Sequence, residues 1–148
     1  MITFLATTKV NKDHHFWEII LPRTKSLLKS IDRYCPETLH DIIDGASAMR
    51  LQDNEFWEII EEQMIDNKLH RYLNLDQVCS VVKSLGLVGR GSDELIETLE
   101  KYIIKHRKGL TTKNITQSRE GFKQLDKGSA VLFEVLGDHS RGLKQINE

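Results

Sequence analysis

Two cysteines, Cys35 and Cys79, stand 44 positions apart in 148 residues. That is too few to staple a small fold, so a disulfide framework is excluded and a reducing compartment is expected. Long apolar runs are missing as well. Nothing approaches the roughly 18 residues that a membrane-spanning helix needs. Charge of one sign is missing: 21 Lys and Arg face 22 Asp and Glu, for a net of -1. A generic affinity for polyanions is therefore not expected, although a local basic stripe remains open. The signatures of phosphate-cradling loops and nucleophile elbows are absent. Gly86-Leu87-Val88-Gly89-Arg90-Gly91 is rich in glycine but follows a helical pattern, not a strand, and reads as a helix stop and turn. His14, His15, His40, His70, His106 and His139 form no His-x-x-x-His pair and none sits near a cysteine at metal-ligand spacing. Asp41, Asp44 and Asp53 lack calcium-loop spacing. These absences predict no catalytic residue, no metal, no cofactor and no small-molecule substrate.

What is present is a folded-protein balance, 39% hydrophobic and 29% charged. The length suits one domain, which at this size buries roughly 68–70% of its unfolded surface. The apolar part of the amino terminus, Ile2 to Ala6, is too short for a secretory signal and lacks the Arg and Ser of a transit peptide. The expected layout is a flexible segment over 1–12, a helical domain over 13–138 and a tail over 139–148.

The dominant feature is a repeat. Asp13-His14-His15-Phe16-Trp17-Glu18-Ile19-Ile20 returns 40 residues later as Asp53-Asn54-Glu55-Phe56-Trp57-Glu58-Ile59-Ile60. It returns again, at offsets of 39 and 37, from Ser92 to Leu99 and from Ser129 to Leu136. Asp13, Asp53, Ser92 and Ser129 are residue types that accept hydrogen bonds from the free N–H groups of a first helical turn. Three positions on stands a large apolar residue (Phe16, Phe56, Leu95, Leu132), and four further another (Ile20, Ile60, Leu99, Leu136). The two share a helix face. Between them lies a glutamate each time, Glu18, Glu58, Glu97 and Glu134, suited to the positive end of the helix dipole.

A second helix follows in each copy, with stripes such as Leu39, Ile42, Ile43, Ala46 and Met49, then Val78, Val81, Val82, Leu85 and Val88. In the third copy Ile115, Phe122 and Leu125 remain, and Arg119 replaces the equivalent of Val82. Gly45, Ser84 and Gly121 occupy one equivalent position and suggest close backbone approach by a neighbouring helix. First-type helices are expected near 13–33, 53–72, 92–108 and 129–138, and second-type helices near 36–50, 75–88 and 112–126. No strand is expected. The sum is an all-α fold: an α-solenoid of about three and a half antiparallel two-helix repeats of 37–40 residues.

A two-helix unit of this length, opening with Phe-Trp-Glu-Ile-Ile in its first two copies, resembles the organellar heptatricopeptide and octotricopeptide repeats, including those of the FAST-kinase-domain and RAP-domain families. The resemblance runs from about Asp13 to Leu136. It implies a mitochondrial location and either a subunit role in an organellar complex or the handling of RNA. The chain is shorter than the RNA-handling members and is not basic, so the first expectation is a non-catalytic scaffold subunit contacting other proteins, and the alternative is RNA contact through a basic edge.

The charges suggest where contact occurs. Acidic residues crowd the starts of two first-type helices (Asp53, Glu55, Glu58, Glu61, Glu62; Asp93, Glu94, Glu97, Glu100), and basic residues crowd the ends (Lys29, Arg33; Lys68, Arg71; Lys101, Lys105, Arg107, Lys108). Complementarity with the helix dipole accounts for much of this, and a basic edge for phosphates or an acidic partner is the functional expectation. Trp17 and Trp57 flank the apolar stripe and pack between repeats or, if exposed, anchor a partner. The last repeat lacks its second helix, so Phe133, Val135 and Leu136 are expected to form an uncovered face. The candidate partner contacts are Trp17, Trp57, Lys105, Arg107, Lys108, Phe133 and Leu136.

Overall fold

The computed structural model describes residues 14–137 and is all-helical over them, with seven α-helices and no strand. The expected segments 1–12 and 139–148 lie outside the described residues. The chain divides into two compact units between Leu73 and Asn74.

The first unit holds α1 (His14–Ser30), α2 (Pro36–Ala48) and α3 (Asn54–Glu61). Pro36 opens α2, where its missing N–H and fixed φ cost nothing. Asp53 caps α3, its Oδ1 accepting from Phe56 N at 2.8 Å. Leu39, Ile43 and Ala46 of α2 and Phe56, Trp57, Ile59 and Ile60 of α3 are buried, as the two stripes require. α1 packs against α3. The pair is tied at one end by Lys25 Nζ, 2.9 Å from Asp53 Oδ1 and 3.3 Å from Glu55 Oε2.

The expected single helix over 53–72 is broken. After Glu61 the chain widens into a π-turn over Glu62–Asp66, Lys68 adopts the left-handed conformation at φ 58°, and a 3₁₀ turn covers Leu69–Tyr72. The cause is tertiary. Gln63 is almost fully buried, and its Nε2 donates to the carbonyls of Leu28 and Ile31 at the end of α1. They lie at the carboxyl end of α1, where Leu28 O also accepts from Ile31 N at 3.3 Å. A regular helix through position 63 gives way so that this amide can satisfy them.

The second unit holds α4 (Leu75–Val88), α5 (Asp93–Lys105), α6 (Thr112–Leu125) and a helix α7 over 130–137. Asn74 with Gln77, and Thr111 with Asn114, form reciprocal capping boxes at the starts of α4 and α6. Ser92 caps α5 and Ser129 caps α7, accepting from Leu95 N and Leu132 N at 3.2 Å each. Gly89 ends α4 in the left-handed conformation at φ 68°, and Arg90 N closes back to Leu85 O at 3.1 Å. The glycine-rich stretch is thus a helix stop, as expected.

α4 lies along α6 in the closest packing of the unit. A Cβ on Gly121 would lie 2.4 Å from Val82 O, and one on Gly86 would lie 2.8 Å from Gly121 Cα. The expected close approach exists at Gly121. Its counterpart is Gly86 with the Val82 backbone, two positions from the expected Ser84, which is simply buried. The face of α7 is covered, not open: Leu132 and Leu136 have no exposure, Phe133 and Val135 are half-buried, and Val131 is the exposed apolar residue at 56%.

Gly121→Ala is expected to destabilise the protein by about 2–3 kcal/mol through overpacking, lowering Tm by roughly 4–12 °C. Gly109→Ala, whose Cβ would meet only Leu75 Cδ2 at an ordinary 3.4 Å, is expected to shift Tm by less than about 2 °C. Thermal unfolding followed by circular dichroism checks both.

Candidate functional site: a basic groove beside helix α5

α5 stops at Lys105, because His106 leaves helical geometry at φ -102°, ψ 23°. A single 3₁₀ turn, Arg107–Gly109, follows, and Thr111 starts the cap of α6. This short link leaves four successive polar side chains, Lys105 to Lys108, exposed on one edge of the unit. Together with Tyr102, Gly109, Asn74 and Leu75 they line a groove of about 600 Å³.

The groove has a floor and a rim. Tyr102 and His106 are one helical turn apart and pair their rings at 4.3 Å with a tilt of 38°. Burial raises the Tyr102 phenol above its ordinary value, so it stays neutral. Leu75 supplies aliphatic surface and touches the Gly109 segment. The side chain of Asn74 is committed to its cap, accepting from Gln77 N at 2.9 Å. On the rim, Arg107 Nη1 donates to Ile104 O at 3.2 Å, which fixes the stem of the guanidinium and satisfies a terminal carbonyl of α5. Lys105 and Lys108 are exposed on either side. Among the described residues no carboxylate lines the groove.

The structure therefore brings together Lys105, Arg107 and Lys108 from the sequence-derived set. It does not add the others to them. Trp57 is 4% exposed, stacks edge-on against Phe56 at 5.0 Å and donates its indole N–H to Leu51 O at 2.8 Å. It is a core residue of the first unit, in keeping with the packing role. The side chain of Trp17 lies outside the described residues. Leu136 is fully buried and Phe133 half-buried, which takes Leu136 off the available surface. Sequence reasoning passed over Tyr102, His106, Asn74 and Leu75. The spacing of Tyr102 and His106 on one helix face was the available signal, and nothing in the sequence showed that the start of α4 lines the same groove.

Three further groups bear on chemistry. In the first unit, exposed Arg33 donates to Tyr34 Oη at 2.9 Å and lies over the Tyr34 ring at 5.0 Å. His40 stands between two acids, Nδ1 3.1 Å from Asp41 Oδ1 and Nε2 3.2 Å from Asp44 Oδ2. The Nε2 contact is off the line of a good hydrogen bond, yet Asp44 is the main influence raising His40 above its ordinary value, and it outweighs the opposing effect of burial. Cys79 is buried, and burial pushes its thiol up to about 11, whereas Cys35 is exposed. Among the described residues no cluster of His, Cys, Asp and Glu is placed to hold a metal ion, and no helix is long and apolar enough to cross a membrane.

The chain matches no protein-family model, and no curated protein matches it in sequence.

Two outcomes follow from this electrostatics. Iodoacetamide should modify Cys35 in the native protein and Cys79 only after unfolding, because the thiolate is the reactive form; peptide mass spectrometry reads the difference. His40 is raised in the folded state, so its stabilising contribution is fully present below the unfolded value of 6.5 and is lost as pH rises through the folded value. His40→Gln should therefore lower Tm more at about pH 5.5 than at about pH 8.5.

Proposed function

We propose that the chain is a non-catalytic scaffold subunit of a larger multiprotein assembly, built as an α-solenoid of about three and a half two-helix repeats. The observation that carries this reading is the way like helices meet like within each unit. α1 and α3, which open successive repeats, pack on each other, and so do α4 and α6, which close successive repeats. Stacked hairpins bury their apolar stripes in this manner. The apolar pairs read from the repeat support it too: Phe56 with Ile60, Leu95 with Leu99, and Leu132 with Leu136 are all essentially unexposed. What such a stack offers to its surroundings is the links between helices and the outer faces, which are binding surfaces. The resemblance to organellar repeat proteins favours a mitochondrial assembly.

RNA contact is the second reading, favoured by the three cations of the groove. Neutralising three phosphates of a single strand would give a salt slope of only about -2, which makes it a weak RNA site by itself.

The test is the native mass of the tagged chain in extracts of its own cells, with identification of the co-purifying proteins. The expected result is a discrete complex far above 17.1 kDa with a fixed set of partners. A free monomer would overturn the scaffold reading.

A further inference from the structure

We infer that the groove beside α5 is a docking site for an acidic segment of a partner protein that carries one large apolar side chain. The inference rests on the scaffold reading and names the kind of partner. Three observations support it.

The first is charge. The rim holds Lys105, Arg107 and Lys108, and no acid lines the groove. Two lysines of the described residues are paired internally, Lys25 with Asp53 and Glu55, and Lys127 with Asp93 at 2.8 Å. Among the described residues Lys105 and Lys108 have no carboxylate within ion-pair distance. The acid nearest in sequence to the groove's other wall, Asp76, accepts from Asn114 Nδ2 at 2.8 Å. The cations are left to an external anion, and complementary charge of this kind sets orientation and encounter rate.

The second is the floor. Leu75 and the Tyr102–His106 pair form an apolar wall inside a volume of about 600 Å³, within the range of sites that seat a compact ligand group. A cationic rim around an apolar floor asks for carboxylates flanking a Phe- or Leu-like side chain, with the aromatic and Arg composition typical of interface centres.

The third separates a peptide from a nucleic acid. A nucleic-acid groove needs a row of cations and open aromatic faces for bases. Here the three cations lie within four consecutive residues, 105–108, one cluster and not a row along a strand.

The experiment uses the full chain and a fluorescent peptide of about 12 residues, Glu and Asp throughout with one central Phe, read by anisotropy at about 50 mM salt. Binding is expected with Kd on the order of 10–100 µM. Lys105→Glu with Lys108→Glu should weaken it at least about 20-fold by reversing the rim. His106→Ala should weaken it about 3–5-fold, and so should replacing the peptide's Phe by Gly. All three altered side chains of the protein are exposed, and Tm is compared with that of the native chain to show that the variants fold. A uridine oligonucleotide of about 12 nucleotides is the competitor. Tighter binding of the oligonucleotide than of the peptide would overturn the inference and assign the groove to nucleic acid. Equal peptide binding by the charge-reversed variant would overturn it as well. In cell extracts, a native complex unaltered by the charge reversal would sink the groove as the docking site and leave the scaffold reading standing.

Discussion

At Gly121 there is room for a backbone and nothing more. The carbonyl of Val82 occupies the place where a side chain would begin, and Gly86, four residues along α4, meets the backbone of Gly121 as closely. This contact sets how closely α4 and α6 can lie, and the rest of the second unit follows from it. Close approach brings the stripe of α4 (Val78, Val81, Val82, Leu85) into one buried layer, with Ile115 and Phe122 of α6 buried as well. α4 stops at left-handed Gly89, and α6 stops at left-handed Asp126. The start of α4, with Asn74 and Leu75, lies beside the end of α5, and the two ends together line the groove.

The first unit solves its packing with polar groups. Gln63 satisfies the end of α1, and Lys25 reaches the start of α3. Burial alone would lower the Lys25 ammonium, but the hydrogen bonds it donates to Asp53 and Glu55 outweigh that and hold it above its ordinary value. Asp53 is thus both the cap of α3 and the anchor of α1. A buried amide and a shared carboxylate specify one alignment of two helices, whereas apolar stripes alone tolerate sliding.

The difference between these devices explains what could be read from the chain. The caps at Asp53, Ser92 and Ser129, the apolar pairs three and seven positions on, and the stop at Gly89 are local. Each depends on residues within a turn or two, so spacing reveals them. The break after Glu61 is not local. Nothing within a few residues of Gln63 forbids a helix, and the π-turn arises from carbonyls more than thirty residues earlier. The same holds for the site. The basic character of Lys105, Arg107 and Lys108 was legible, but the wall opposite them comes from Asn74 and Leu75, about thirty positions away. The cover over Leu136 was equally hidden, because an incomplete repeat in sequence need not be an uncovered face in space.

The basic ends need a cause beyond helix stability. In α5 the dipole accounts for Asp93 and Glu94 in the first turn and Lys105 in the last. It does not account for the links. α3 has no basic residue in its last turn, and Lys68 and Arg71 lie past the π-turn, where its dipole has faded. The links instead share a register: Arg33-Tyr34, Arg71-Tyr72 and Arg107-Lys108 follow one another at offsets of 38 and 36 residues. In the first link the arginine turns to tyrosine, donating to Tyr34 Oη and covering its ring. In the third, lysine stands where tyrosine stood, and the arginine turns back to its own helix end at Ile104. Removing the aromatic partner and adding a cation converts a self-satisfied link into one whose charge is directed outward. The three links thus share a register in the sequence, and at Lys108 a cation stands where the other two links have tyrosine.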